Sequence, residues 1–259
     1  MLSEARGPVL PLLDVTISGA LACAAEAHPD REALIVSHQN VRLTWRELDE
    51  AATRVATGLA GLGLAPGDRI GIWAVNCAEW VLLQYGAARA GIVLVNVNPA
   101  YRSHELRFVL RKSHIRALFL HAADCRTNYR GILEECGPPE HVVWLGAPSW
   151  DEMLAAGRAT PADPASPHDV ANIQYTSGTT GSPKGVLLTH HNLVNNGLMI
   201  AQALRATADD RLCVPVPMYH CFGCVIGSMV SAVTGAAMIL PAPQFDPRAT
   251  LEADRKSVV

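Results

Sequence analysis

A doubly wound α/β fold built on mostly parallel sheets is what this 259-residue sequence predicts, on three observations. Strand-length apolar runs alternate with helix-length amphipathic stretches between Arg69 and Leu145, the rhythm of strand–helix–strand units. The runs are apolar almost throughout, as in Arg69-Ile70-Gly71-Ile72-Trp73-Ala74-Val75, and strands covered on both faces read that way. Hydrophobic residues make up 49% of the chain, which is ample for the core of one large domain or two smaller ones.

Taken in order, residues 14–30 read as a helix ended by His28-Pro29, and residues 33–36 and 41–43 as a hairpin around Ser37 to Asn40. Thr44-Trp45-Arg46-Glu47 has the spacing of a capping box. The helix it starts carries Leu48, Ala52, Val55, Ala56 and Leu59 at helical spacing, and Gly61 and Gly63 supply a left-handed stop. Gly61-Leu62-Gly63 opens like a dinucleotide loop, but Pro66 takes the third glycine's place and the order is helix to strand, so it is read as a turn. A strand over 69–75 precedes a helix from Glu79 to Arg89, with Asn76 as its expected cap. A strand over 92–97, a helix from Ser103, as cap, to Arg111, a strand over 115–120, a helix near 127–135 and a strand over 141–145 follow. Residues 159–168, with three prolines, read as a surface linker. Beyond them come a strand over 172–176, another through Val186-Leu187-Leu188, a helix over 192–204 and a strand over 211–216.

Leu212 to Phe245 carries no charge with His220 neutral. Its prolines and glycines leave Val225 to Leu240 as the longest unbroken piece, shorter than the roughly 20 residues of a spanning helix. A buried helix followed by a buried strand is expected there, and no membrane span. A net charge of −3, a pI near 6.4 and no clustered basic residues argue against a nucleic-acid partner. Seven irregularly spaced cysteines do not make a disulfide framework. Cys221-Phe222-Gly223-Cys224 lacks a second pair and a strand-to-helix context, so both cysteines are read as small core residues rather than a redox or zinc motif. With no secretory signal in view, a cytoplasmic location is expected, mitochondrial being the alternative if a presequence lies outside the sequence.

The stretch with most chemistry is Tyr175-Thr176-Ser177-Gly178-Thr179-Thr180-Gly181-Ser182-Pro183-Lys184-Gly185. Three Thr, two Ser, three Gly and one Lys fall between two strand-like runs. Gly178 and Gly181 let backbone N–H groups turn into one concavity, the hydroxyls add short donors, and Lys184 adds a mobile positive charge, so the segment suits phosphate. The nucleoside-triphosphate loop of the form Gly, four residues, Gly-Lys-Ser/Thr does not fit. Pro183 and Val186 stand where its second glycine would be, and Lys184 is followed by Gly185.

Thr-Ser-Gly-Thr-Thr-Gly-Ser-Pro-Lys-Gly closely resembles the phosphate-binding signature of the adenylate-forming enzymes: acyl-CoA synthetases, adenylation domains of peptide synthetases and firefly-type luciferases. Pro217-Met218-Tyr219-His220-Cys221-Phe222-Gly223 resembles a second motif of that family. Gly67-Asp68-Arg69, Asn96-Val97-Asn98-Pro99-Ala100-Tyr101 and Thr189-His190-His191-Asn192 extend the similarity to the fatty acyl-CoA synthetase branch that includes acyl-CoA synthetase family member 2.

The resemblance implies the large N-terminal domain of the acyl-CoA synthetase/adenylation/luciferase fold, truncated. It implies activation of a carboxylate by ATP to an acyl-adenylate, then thioester formation with CoA, with fatty acid, ATP and CoA as small-molecule substrates and Mg2+ bridging phosphate oxygens. Lys184, Thr180 and His220 are the expected catalytic residues. Thr176, Ser177, Gly178, Thr179, Thr180, Gly181, Ser182, Pro183 and Lys184 are expected to hold the nucleotide, with Thr180 toward the metal. His220 and Phe222 are expected to border the acyl substrate. Residues 1–259 are expected to be a partial N-terminal AMP-binding domain, the C-terminal domain absent and the missing half a possible partner. A truncated product that binds nucleotide or a partner without turnover is the alternative.

Overall fold

The computed structural model describes residues 11–124, 127–158, 165–176 and 183–257. Its strands form two sheets. One has six strands in the order β6-β5-β3-β4-β7-β8, where β3 is Arg69–Trp73, β4 Val93–Asn96, β5 Ile115–Leu120, β6 His141–Trp144, β7 Val170–Thr176 and β8 Lys184–Thr189. All its pairs are parallel except β7 with β8. The other sheet has the order β2-β1-β10-β9 and joins β1 (Glu32–Val36) and β2 (Val41–Thr44) to β9 (Arg211–Cys213) and β10 (Ala237–Leu240). Here β1 lies parallel to β10, and β10 to β9. The expected doubly wound, mostly parallel fold is therefore present, as two sheets.

Side-chain alternation along the strands sets the layers. Ile70, Ile72, Ala117 and Phe119 of the large sheet face Leu34, Val36, Met238 and Leu240 of the small one across one continuous core. That core is filled by α1 (Ile17–Ala27), α2 (Trp45–Gly61), α3 (Ala78–Arg89), α7 (His190–Leu204) and α8 (Ser228–Thr234). Trp73, Val95, Leu118 and Leu120 point the other way, onto α4 (Ser103–Lys112) and α5 (Tyr129–Cys136). Outside the small sheet, Ile35 and Ile239 pack on Ala253 of α9 (Pro247–Ser257).

Local chemistry explains most boundaries. The Thr44 hydroxyl accepts the Glu47 N–H and the Glu47 carboxylate accepts the Thr44 N–H, closing the capping box. Two expected caps are corrected. Cys77, not Asn76, is the N-cap of α3, because the Asn76 amide is engaged elsewhere. Arg102 is the N-cap of α4, and the hydroxyl of Ser103, now the first helical residue, bonds Glu135. Strand β9 ends at Cys213, short of the expected Val216, where Pro215 and Pro217 lack the N–H a ladder needs. The first helix is shorter than expected, at Ile17–Ala27, and α7 begins two residues earlier, after its cap Thr189. An eight-residue helix absent from the sequence reading, α6 (Pro148–Ala155), starts with proline at a position that needs no N–H and buries Trp150 and Met153.

Helices α2 and α3 pack closely. A Cβ on Gly86 would lie 2.4 Å from Val55 Cγ1 and 3.1 Å from the Ala52 carbonyl oxygen. Gly86→Ala is therefore expected to lower unfolding stability by about 1–3 kcal/mol through overpacking, read from the midpoint of urea denaturation.

Glu32, on β1, accepts from Arg42 on β2 and, at 2.6 Å, from Arg211 on β9. Burial works to raise its carboxyl, but the Arg211 and Arg42 guanidiniums outweigh that and hold it below the ordinary 4.5. A carboxyl lowered on folding stabilises above its unfolded value, and the contribution disappears as pH falls through the folded one. Melting of Glu32→Gln is expected to fall below wild type at pH 7, and the gap to close below about pH 4. A gap unchanged in acid would remove the ion pairs as its cause.

Candidate functional site

The phosphate-type motif occupies the connection between β7 and β8. The two strands pair antiparallel in a register that sets Thr176 directly opposite Lys184. Thr176 and Lys184 are exposed at that end of the hairpin, and Pro183 is half-buried. Ser177, Gly178, Thr179, Thr180, Gly181 and Ser182 lie outside the described residues.

The second motif follows β9. Pro217 and His220 close a turn through His220 N–H to Pro217 O at 3.2 Å, and Phe222–Gly227 then winds as a π-helical segment into α8. Gly223 permits this: a Cβ there would stand 2.4 Å from the Pro217 oxygen. His220 is exposed, and its Nδ1 accepts the Phe222 N–H at 3.2 Å. With Nδ1 as acceptor, the neutral ring carries its proton on Nε2 and presents a donor. His220, Cys221 and Phe222 line one open groove of about 710 Å³, whose other wall is Leu188 of β8 with Asn192, Leu193 and Asn196 of α7. Val225 and Ile226 line it as well, and Phe222 is 50% exposed along it. His220 and Phe222 are thus brought together. Lys184 is not among the groove-lining residues. It shares a face of β8 with Leu188 but lies four residues away, roughly 13 Å along the strand.

A second cavity, of about 290 Å³, opens on the other side of the same segment. Its walls include Val75 and Asn76 beyond β3, Asn98 and Ala100 beyond β4, and Tyr219. This is the crevice outside the carboxyl ends of parallel strands, where an open α/β sheet takes ligands. Successive residues Tyr219 and His220 therefore face different cavities.

Buried amides hold the segment between the cavities, and sequence reasoning missed them. Asn76, 3% exposed, donates to Val216 O at 2.9 Å and accepts the Met218 N–H at 2.8 Å, while its own N–H reaches Pro243 O. Asn172 on β7 donates to Asn96 on β4 at 2.8 Å, and Asn96 donates to Tyr219 O at 3.1 Å. Polar residues inside otherwise apolar strands were the available signal. The two cysteines of the pair differ from the reading that placed both in the core. Cys224 is buried and receives hydrogen bonds from Gln174 and Asn96, and burial pushes its thiol up to about 12. Cys221 is exposed. A thiol held protonated suits neither a redox pair nor a zinc ligand. Among the described residues no helix is long and apolar enough to cross a membrane.

The model of the family described as AMP-binding enzyme matches residues 21–257. The mitochondrial medium-chain acyl-CoA ligase ACSF2 of Mus musculus is 39% identical over 93% of this chain and 45% of its own length. The putative acyl-CoA synthetase YngI of Bacillus subtilis (strain 168) is 37% identical over 95% of this chain and 50% of its own. Among solved structures, the inhibitor-bound N-terminal domain of FACL13 from Mycobacterium tuberculosis superposes with a TM-score of 0.83 at 31% identity, over 93% of this chain and 60% of that one. The long-chain-fatty-acid-CoA ligase FadD1 from Archaeoglobus fulgidus does so at 0.87 and 27%, over 98% and 52%. The chain thus spans about half the length of the curated relatives it matches. A family match over nearly all its residues, on a fold shared with acyl-CoA ligases, means that the chain belongs to the AMP-binding enzyme family.

Proposed function

We infer that residues 1–259 form the N-terminal part of an AMP-binding domain and contribute the carboxylate-activating face of an AMP-forming fatty acid–CoA ligase. One observation carries the reading. An apolar groove with a histidine N–H donor on its wall lies against the strand that leads out of the hydroxyl-, glycine- and lysine-bearing motif. The names of the relatives, medium-chain acyl-CoA ligase among them, support an acyl substrate.

In this reading an acyl chain lies along Phe222, Leu188 and Leu193, and burial of its methylenes gives about 0.8 kcal/mol each. The His220 Nε2–H donates to a carboxylate oxygen, orienting the other oxygen for attack on the α-phosphate of ATP. Charge grows on phosphate oxygens as pyrophosphate departs. The hydroxyls and N–H groups of Thr176 to Ser182 and the Lys184 ammonium are the groups proposed to meet that charge and lower the barrier. CoA then displaces AMP from the acyl-adenylate. Magnesium, when bound, neutralises phosphate charge, and Thr180 is the residue of this chain proposed to meet it.

Lys184→Ala in the full-length protein is expected to slow carboxylate-dependent pyrophosphate release about 100-fold or more at saturating acid. Unchanged turnover would withdraw the lysine from the reaction. Phe222→Ala is expected to raise KM for long acids more than for short ones with kcat little altered, as loss of uniform binding requires. His220→Ala is expected instead to depress kcat by about 10²-fold. ATP binding with no acyl-adenylate formed by the wild type would favour a non-catalytic nucleotide-binding chain.

A further inference from the structure

At the end of the β7–β8 hairpin opposite the Thr176–Lys184 pair, Asp14, His168 and His191 converge. Val170 pairs with Thr189 in the last register of the hairpin, so residues just outside that pair are neighbours. His191 N–H donates to Pro167 O at 2.8 Å and His190 N–H to Asp169 O at 3.2 Å, extending the ladder. The His168 and His191 rings consequently lie 5.0 Å apart. The segment before α1 is fixed beside them by two further ties. The buried amide of Asn195 bonds both the N–H and the carbonyl of Leu13, at 2.7 and 2.8 Å, and His190 Nδ1 accepts the Ile17 N–H at 3.2 Å. These bonds set the Asp14 carboxylate 3.7 Å from His168 Nε2.

We propose that Asp14, His168 and His191 form a divalent metal site, best suited to zinc, that clips the N-terminal segment to the base of the hairpin. Two imidazoles and one carboxylate are a donor set that zinc favours, with water in the fourth position. The ligand atoms all lie within 4.8 Å of one another. A tetrahedral site with ~2.0 Å bonds needs them roughly 3.3 Å apart, so the Asp14 and His168 side chains have to close on His191, whose Nδ1 lies 3.3 Å from the Asn195 amide nitrogen. The side chains of Asp14 and His168 are 76% and 71% exposed, which leaves these two ligands room to move. Backbone positions are already held by the Asn195 and hairpin bonds, which limits the ordering that binding demands. The N-terminus of α7 carries partial positive charge that opposes a cation. The Asp14 carboxylate offsets it, so this ligand is required rather than accessory.

The test is calorimetric titration of the purified, chelator-stripped protein with zinc chloride alone, alongside its thermal melt. One saturable equivalent and a raised melting temperature are expected, since a ligand bound only by the folded state stabilises it. His168→Gln and Asp14→Asn are each expected to weaken binding at least about tenfold and to remove the shift in melting. The double variant Cys23→Ser, Cys221→Ser, which removes two exposed thiols, is expected to bind zinc as the wild type does. Absence of saturable binding would overturn the proposal. So would binding that survives His168→Gln but is lost with the thiols.

Discussion

A partly buried irregular segment has to satisfy its backbone polar groups without a ladder, and the site depends on how this is done between Val214 and Cys224. Orphaned donors and acceptors there would each cost about 1–3 kcal/mol. Two asparagines supply missing partners. Asn76 stands in for a strand neighbour to Val216 and Met218, and Asn96 does so for Tyr219. Because Asn172 holds Asn96 in turn, the strand that enters the phosphate-type motif and the segment that bears His220 are tied through side chains neither could dispense with. The relative placement of groove and motif is set by low-dielectric hydrogen bonds that are costly to leave half-made.

The helices between the sheets have a different role. They form one continuous apolar filling, with Trp45, Trp80 and Tyr85 wholly buried. Two of these rings also anchor polar groups across layers. Trp45 Nε1 donates to Gly235 O, and the Tyr85 hydroxyl to Ser228 O. Oily volume therefore supplies cohesion, while a few ring and amide donors fix the sheets in one relation.

Much of this was legible in the sequence, for reasons that are local. The capping box at Thr44, the strand-like runs of Ile70 and Val95 and the turn-bearing glycines act within a few residues of themselves, so spacing reveals them. The hydroxyls, glycines and lysine of Thr176 to Lys184 suggest phosphate by residue type alone, which is why that expectation needs no fold. What stayed hidden is non-local. Asn76 looked like a helix cap because caps are the usual use of asparagine beside a helix, whereas its partners lie about 140 residues on. The π-helical turn at Phe222 comes from Gly223 pressing against Pro217, a contact with no periodic signature. The pairing of His168 with His191 required the hairpin register, which only the folded ladder supplies.

The small sheet joins β1 to β10, strands separated by about two hundred residues. During synthesis at roughly 5–20 residues per second, the β1–β2 hairpin therefore waits on the order of 10–40 s for its parallel neighbour. A two-stranded hairpin is marginal in isolation, and this one must keep Leu34 and Val36 from other partners until Met238 and Leu240 emerge. The large sheet, whose strands follow one another at short intervals, is free to form meanwhile and to provide the surface on which that delayed closure occurs.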